Sequence, residues 1–250
     1  MNNLKLKREG EVYTTQNYGG LIITEYKDAW NVKVKFVNTG CERVVAMGDI
    51  KKGAVKDFLQ PSIFGIGILG EEFENSESMD KVCTTWRSIL TRCYYKKDGH
   101  IAEAYKDCTM SENFKYYQYF KKWYLNQNGW NEDDWAIDKD ILVRGNKIYS
   151  EDTCCLVPRE INNLFTLRHK LRGDYPLGVH FDKKSSKFIS QLGRMGKRTY
   201  LGSYNNVEDA FNTYKQAKED YIKEVANLWR DRIEPRVYTA LMTYQVEITD

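Results

Sequence analysis

Between Lys187 and Tyr221 the apolar residues change their period from two to about 3.6, and that change dictates a sheet backed by a helix. In Lys187-Phe188-Ile189-Ser190-Gln191-Leu192, alternation sends Phe188, Ser190 and Leu192 to one face and Lys187, Ile189 and Gln191 to the other. A second β-prone run, Arg198 to Tyr204, points Leu201 inward and Arg198 and Tyr200 outward, and a shorter run surrounds Val179. Asn205-Asn206 then opens a helix with Ala210, Phe211, Tyr214, Ala217 and Tyr221 on one face. Glu208 and Asp209 occupy its first turn, where the helix dipole favours acids. The expected unit is a three-stranded antiparallel sheet packed on one helix, over residues 173–233. Pro235 is expected to end it and to leave 234–250 as a C-terminal tail.

The outward face of that sheet carries Lys187, Gln191, Arg198 and Tyr200, with His180 on the first strand. Lys183, Lys184, Arg194 and Lys197 add to the local positive field, and Asp182 is the single acid between Tyr175 and Tyr204. The formal net charge of the whole chain is only +3, so the distribution carries the signal. Cations neutralise phosphates, and glutamine or arginine can hydrogen-bond base edges in a groove wide enough for a sheet. An ordinary solvated sheet face would carry the same residue types.

Gly178-Val179-His180, then Lys187 to Leu192, then Arg198-Thr199-Tyr200-Leu201-Gly202-Ser203-Tyr204 resemble the APETALA/ethylene-response-factor DNA-binding domain. The resemblance continues through Glu208-Asp209-Ala210 and Tyr214. That family reads Gly-Val-Arg, then Lys-Trp-Val-Ala-Glu-Ile, then Arg-x-Trp-Leu-Gly-Thr-Phe, and lays its sheet in the major groove. Here His180 replaces the arginine, Phe188 and Tyr200 replace tryptophans, and Gln191 replaces the glutamate. The resemblance implies double-stranded DNA as partner and leaves the target sequence open. Relatives of this module occur in phage HNH homing endonucleases and integrases.

A second resemblance lies upstream. Ala136-Ile137-Asp138-Lys139-Asp140-Ile141, Asp152 to Pro158, and Arg159-Glu160-Ile161-Asn162-Asn163 resemble the ββα motif of HNH nucleases. The resemblance puts Asp138 at the metal-ligand aspartate and Asn162 at the helix ligand, which together would hold one Mg²⁺, an ion that favours oxygen. Lys139 stands where the family has its water-activating histidine, and a lysine at its usual pKa cannot take a proton. Asp140, which alternation places on the face of Asp138, and His169 are the substitute bases. Taken without the resemblance, Asp138, Lys139 and Asp140 read as a salt-bridge cluster at a strand end.

The rest of the chain supplies cores. Val12-Tyr13, Leu21-Ile22-Ile23, Val32 to Phe36 and Val44-Val45 are short β-prone runs, suggesting a small SH3-like barrel over 1–70. Gly65, Gly67 and Gly70 match a dinucleotide fingerprint, but Glu71, Glu72 and Glu74 follow and would repel a pyrophosphate, so the match is rejected. Val82, Trp86, Ile89, Leu90 and Cys93 form a helical stripe, and Phe114, Tyr117, Phe120, Trp123 and Tyr124 form another, with Ser111 as its N-cap. No apolar run approaches the ~20 residues of a membrane span, and the first eight residues have no signal-peptide core. An intracellular, cytoplasmic protein is expected, its six cysteines serving as buried small hydrophobes without zinc, since no Cys-x-x-Cys pair exists.

The chain is therefore read as α+β in four segments: a small barrel (1–70), a helical and HNH-like ββα region (71–172), an APETALA-type DNA-binding domain (173–233) and a tail (234–250). Two functions of different class follow from the resemblances. One is a phage-type, Mg²⁺-dependent, HNH-like homing endonuclease with an atypical site. The other is a catalytically silent DNA-binding regulator on the same scaffold. A third reading is a phage protein that binds and inhibits a host defence protein, with the barrel as its docking piece.

Overall fold

Val32, Val34 and Phe36 are buried along one strand while Lys33 and Lys35 point the other way, so the expected period of two is present in space. The computed structural model describes residues 8–165, 174–194 and 196–249. Its strands β1 (Val12–Thr14), β2 (Gly20–Tyr26), β3 (Val32–Phe36) and β4 (Glu42–Val45) are each antiparallel to the next. The expected barrel is an open sheet in the described residues, with β1 and β4 as its two edges. Four strands, two of them of three and four residues, cannot tilt and stagger enough to meet around a circle. On the polar face Glu42 receives Lys33 at 2.7 Å. A short helix α1 (Met47–Lys51) follows, burying Met47 and Ile50.

Helix α2 (Lys81–Tyr94) buries Val82, Trp86, Ile89, Leu90 and Cys93, the stripe expected from the sequence. Helix α3 (Tyr117–Leu125) buries Tyr117, Phe120 and Tyr124. Ser111 does not cap α3. Its hydroxyl accepts from the Phe114 N–H at 3.2 Å and opens a tight turn at Asn113–Lys115, two residues ahead of the helix. Trp86 closes this core by donating its indole N–H to the Phe114 carbonyl at 2.7 Å. The glycine-rich segment leads into a turn and not a helix. Gly67 is small for packing reasons, since a Cβ there would lie 2.6 Å from Leu90 Cδ1. Strands β5 (Thr109–Met110) and β7 (Ile148–Tyr149) pair in parallel within this unit.

The chain divides into two compact units: Met1–Leu125 with Lys147–Asp152, and Asn126–Asn146 with Thr153–Asp250. The second holds β6 (Trp135–Asp138) antiparallel to β8 (Cys155–Pro158), with helix α4 (Arg159–Leu164) packed on both. It also holds β9 (Val179–Asp182), β10 (Lys187–Arg194) and β11 (Lys197–Tyr204), an antiparallel sheet in the order β11-β10-β9. Helix α5 (Val207–Trp229) packs across all three strands. Asn206 caps it by accepting the Asp209 N–H at 2.8 Å. The expected tail is a packed helix, α6 (Pro235–Met242), which buries Val237 and Leu241. Pro235 opens it because the first helical position needs no N–H. All six cysteines are buried thiols.

Gly178 marks where this unit is least tolerant. Its φ is 74°, and a Cβ would fall 1.9 Å from the Tyr214 ring of α5. Gly145, in the same unit, has φ 70° and open space around it. Gly145→Ala should cost only the left-handed backbone penalty of about 1–2 kcal/mol. Gly178→Ala should cost clearly more, as urea denaturation of the two variants will show, because Tyr214 must also leave its place in the core.

Candidate nucleic-acid interface

A one-residue irregularity decides what the β9–β11 sheet presents. Phe188, Ile189 and Ser190 stand opposite Tyr204, Ser203 and Gly202, but Gln191 stands opposite Tyr200. Leu201 has no partner in that register, so a β-bulge reverses the alternation of β11. Below the bulge Tyr204 faces the helix, where Thr213 of α5 donates to its hydroxyl at 2.8 Å. Above it Tyr200 and Arg198 take the face of Gln191, and Tyr200 is 64 % exposed. Gly202 permits the bend: its φ is 152°, and a Cβ would meet the Tyr204 hydroxyl at 2.6 Å.

The inner face is closed by Ser190 and Leu192 against Ala210, Phe211 and Tyr214 of α5, all buried. Phe188, expected to be buried, is half-buried. It stacks at the sheet's edge with Tyr175 and Phe181, at ring distances of 5.4 and 5.1 Å. The outer face carries His180, Lys187, Gln191, Arg198 and Tyr200. Lys183 and Lys184 lie exposed in the β9–β10 turn. Asp182 is spent on that turn: it accepts from the Ser185 hydroxyl at 2.6 Å and from the Lys184 and Ser185 N–H groups, which together lower its pKa. Lys187 Nζ reaches Asn205 Oδ1 at 2.7 Å.

Arg194 does not share the outer face. It lies on the helix side with Ser190 and Leu192, paired with Glu224 of α5 and with its guanidinium 4.9 Å from the Tyr221 ring centre. Lys197, directly opposite Arg194, is exposed beside it. The sequence signal was available: 188, 190, 192 and 194 have one parity. A continuous cation count along the strand hides it.

In the ββα segment the same kind of allocation holds. Asp138 Oδ1 accepts the N–H groups of Asp140 and Ile141 at 2.7 and 2.8 Å and so folds the chain end of β6 into a turn. Burial raises its pKa above the ordinary carboxylate value. Lys139 is buried, and its ammonium donates to both oxygens of Asp140 (2.8 and 2.7 Å) and to the Asn146 carbonyl (2.8 Å). The Asn146 amide returns a bond to the Lys139 carbonyl at 2.9 Å. Lys139 and Asp140 thus form the clasp of the 139–146 loop. Asn162 lies on α4, which packs on β6 and β8. His169 lies outside the described residues. Among those residues no three His, Cys, Asp or Glu side chains gather at metal-holding distance.

The Asp138 geometry has a measurable consequence. Asp138→Asn keeps the Oδ1 acceptor and removes a charge that burial disfavours, whereas Asp138→Ala removes the acceptor and orphans two N–H groups. At pH 7 the asparagine variant should match or exceed wild-type stability in urea, and the alanine variant should lose about 1–3 kcal/mol. The folded-state pKa is raised, so the native protein holds this proton more tightly than the unfolded chain. Wild-type stability relative to Asp138→Asn should therefore fall as pH rises from 3.8 through the folded value and then level off.

No protein-family model, curated protein or solved structure matches this chain.

Proposed function

We propose that this chain is a double-stranded-DNA-binding protein that docks through the outer face of its β9–β11 sheet. The observation that supports this reading most is the bulge at Leu201, which puts Arg198 and Tyr200 on the same face as Gln191 and His180, the face turned away from α5. Cations at the rim (Lys183, Lys184) would meet phosphates, and the central polar side chains would meet base edges. The sheet-and-helix order and the residues quoted for the APETALA resemblance agree with this use. In this reading the ββα segment is scaffold, since Asp138 and Lys139 are committed to the loop that follows β6.

Fluorescence anisotropy of the full chain with duplex DNA tests the docking face. Binding should weaken steeply with salt, and Lys184→Ala or Arg198→Ala should each reduce the log–log salt slope by about one. Arg194→Ala should change that slope little, because its guanidinium already serves Glu224 and Tyr221. A folded protein that leaves anisotropy unchanged at low salt would end this reading.

A second reading, Mg²⁺-dependent nicking, draws on the antiparallel β6–β8 pair with α4 packed across it, the arrangement that the HNH resemblance implies. Asp138 and Asn162 would be the oxygen ligands, and the metal would supply the charge that polarises a scissile phosphate. Supercoiled plasmid incubated with Mg²⁺ or Mn²⁺ separates the two. The scaffold reading expects no nicking. Nicking that disappears in chelator and in Asp138→Asn would replace it with the nuclease.

A further inference from the structure

Packing explains Gly67 in the glycine-rich segment ahead of α2, but not Phe64, three residues before it. The tip of that segment, Ile63-Phe64-Gly65-Ile66, closes with the Ile66 N–H on the Ile63 carbonyl at 3.0 Å. Phe64 and Gly65 have φ of 54° and 69°, the positive pair of a type I′ turn. Glycine, asparagine and aspartate suit those positions, and a residue with a bulky ring does not. The hairpin in which Lys97 and His100 pair obeys the rule: Asp98 and Gly99 form its tip, with φ of 52° and 82°. Phe64 is the one bulky residue at positive φ among the described residues, and such outliers gather where a side chain must be presented.

Burial does not offset that conformation. Phe64 is 44 % exposed and meets Tyr95, itself 50 % exposed, with ring centres 5.8 Å apart and planes at 50°. So tilted, the rings do not cover each other's faces. Both are held from below. Gly67 seats the turn against Trp86 and Leu90 of α2, and Tyr95 follows that helix directly, its N–H on the Thr91 carbonyl at 3.1 Å. A Cβ on Gly65 or on Gly99 would meet nothing within 4 Å, so the space beside both tips is open. Lys96 and Lys97 come next in the chain, exposed and without an ion-pair partner among the described residues. Asp98 is the acid of the same hairpin.

We propose that Phe64 and Tyr95 form a stacking platform for an unpaired base of single-stranded DNA, with Lys96 and Lys97 meeting the phosphates beside it. Every base has a flat π-face, so aromatic rings hold it without reading its identity, and nearby ammonium groups neutralise the backbone that comes with it. A duplex keeps its bases inside the stack, where this platform cannot reach them. A partner offering only apolar side chains would cover the rings and leave two ammonium groups without a counter-charge. The site lies in the first unit and goes beyond the β9–β11 docking reading, on which it does not depend. It adds sequence-independent affinity for DNA that carries a gap, a flap or an unpaired strand.

The test uses the full chain and a short single-stranded oligothymidylate carrying one 2-aminopurine, whose fluorescence is quenched when its base stacks on an aromatic ring. Wild type should quench it, with affinity falling as salt rises. Phe64→Asn and Tyr95→Ser should each weaken binding about tenfold, and Phe64→Trp should keep it. Lys96→Gln combined with Lys97→Gln should lower the log–log salt slope by about 1.4, the single-strand value for two phosphates. Phe64→Asn should also leave the urea midpoint unchanged or raise it, because asparagine accepts the positive φ. A clear fall in that midpoint would assign the ring to packing and overturn the proposal. Fluorescence that wild type leaves unchanged overturns it too. So does quenching that persists in both Phe64→Asn and Tyr95→Ser, which would place the base on another surface. A blunt duplex measured alongside reports on the β9–β11 reading separately. Duplex binding without single-strand binding overturns the platform alone, and quenching that depends on Phe64 and Tyr95 without duplex binding supports the platform and ends the docking reading.

Discussion

The bulge at Leu201 is the constraint on which the second unit turns. Strict alternation along β11 would put Arg198, Tyr200, Gly202 and Tyr204 on one face. The helix side would then have to take in Arg198 and Tyr200, or would have to give up Tyr204 and its bond to Thr213. One unpaired residue removes the conflict. The lower half of the strand contributes to the core and the upper half to the solvent face, and the bend falls next to Gly202, where no Cβ could sit. An irregular hydrogen-bond ladder costs little beside an unpaired charge driven against α5.

Allocation of charge is the second theme. Several ionisable groups that look available along the chain are committed in three dimensions. Asp182 holds a turn, Arg194 holds Glu224, and Lys139 holds Asp140 and the Asn146 carbonyl. Lys218 of α5 is the extreme case: burial pushes its pKa down to about 8, and its ammonium donates to the Leu164 carbonyl at the end of α4. That bond ties the ββα helix to the helix behind the β9–β11 sheet within a single unit. What remains on the outer face is correspondingly selective: two rim lysines in a turn, Arg198, and a polar group of His180, Gln191 and Tyr200.

In the first unit the aromatic core carries the architecture. Trp86 and Tyr117 pack at 5.3 Å, Phe114 and Phe120 at 5.1 Å, and the Trp86 indole satisfies the Phe114 carbonyl inside the same cluster. Buried aromatics of this size bring large apolar area with few rotatable bonds, and the hydrogen bond removes the cost of an orphaned carbonyl. Gly67 belongs to this packing, which is why its fingerprint-like spacing has a steric explanation.

Element type was legible from the residues because it depends on local period: the stripe of α2, the alternation of β3, the long face of α5 with its Asn206 cap, and the strand–strand–helix order around Asp138 and Asn162 all appear where the pattern puts them. Closure was not legible, since four short strands read the same whether they form a barrel or an open sheet. Pro235 was equally ambiguous, because proline both stops helices and starts them. The candidate interface was legible as a set of residue types between His180 and Tyr200, but membership of its face was decided by the register of β10 against β11. Register depends on pairing between strands, which no single strand encodes. The same reason separates the two meanings of Asp138 and Lys139: their identities suggest chemistry, and only the folded loop, by bringing the Asn146 carbonyl and two backbone N–H groups to them, commits both side chains to holding the chain in place.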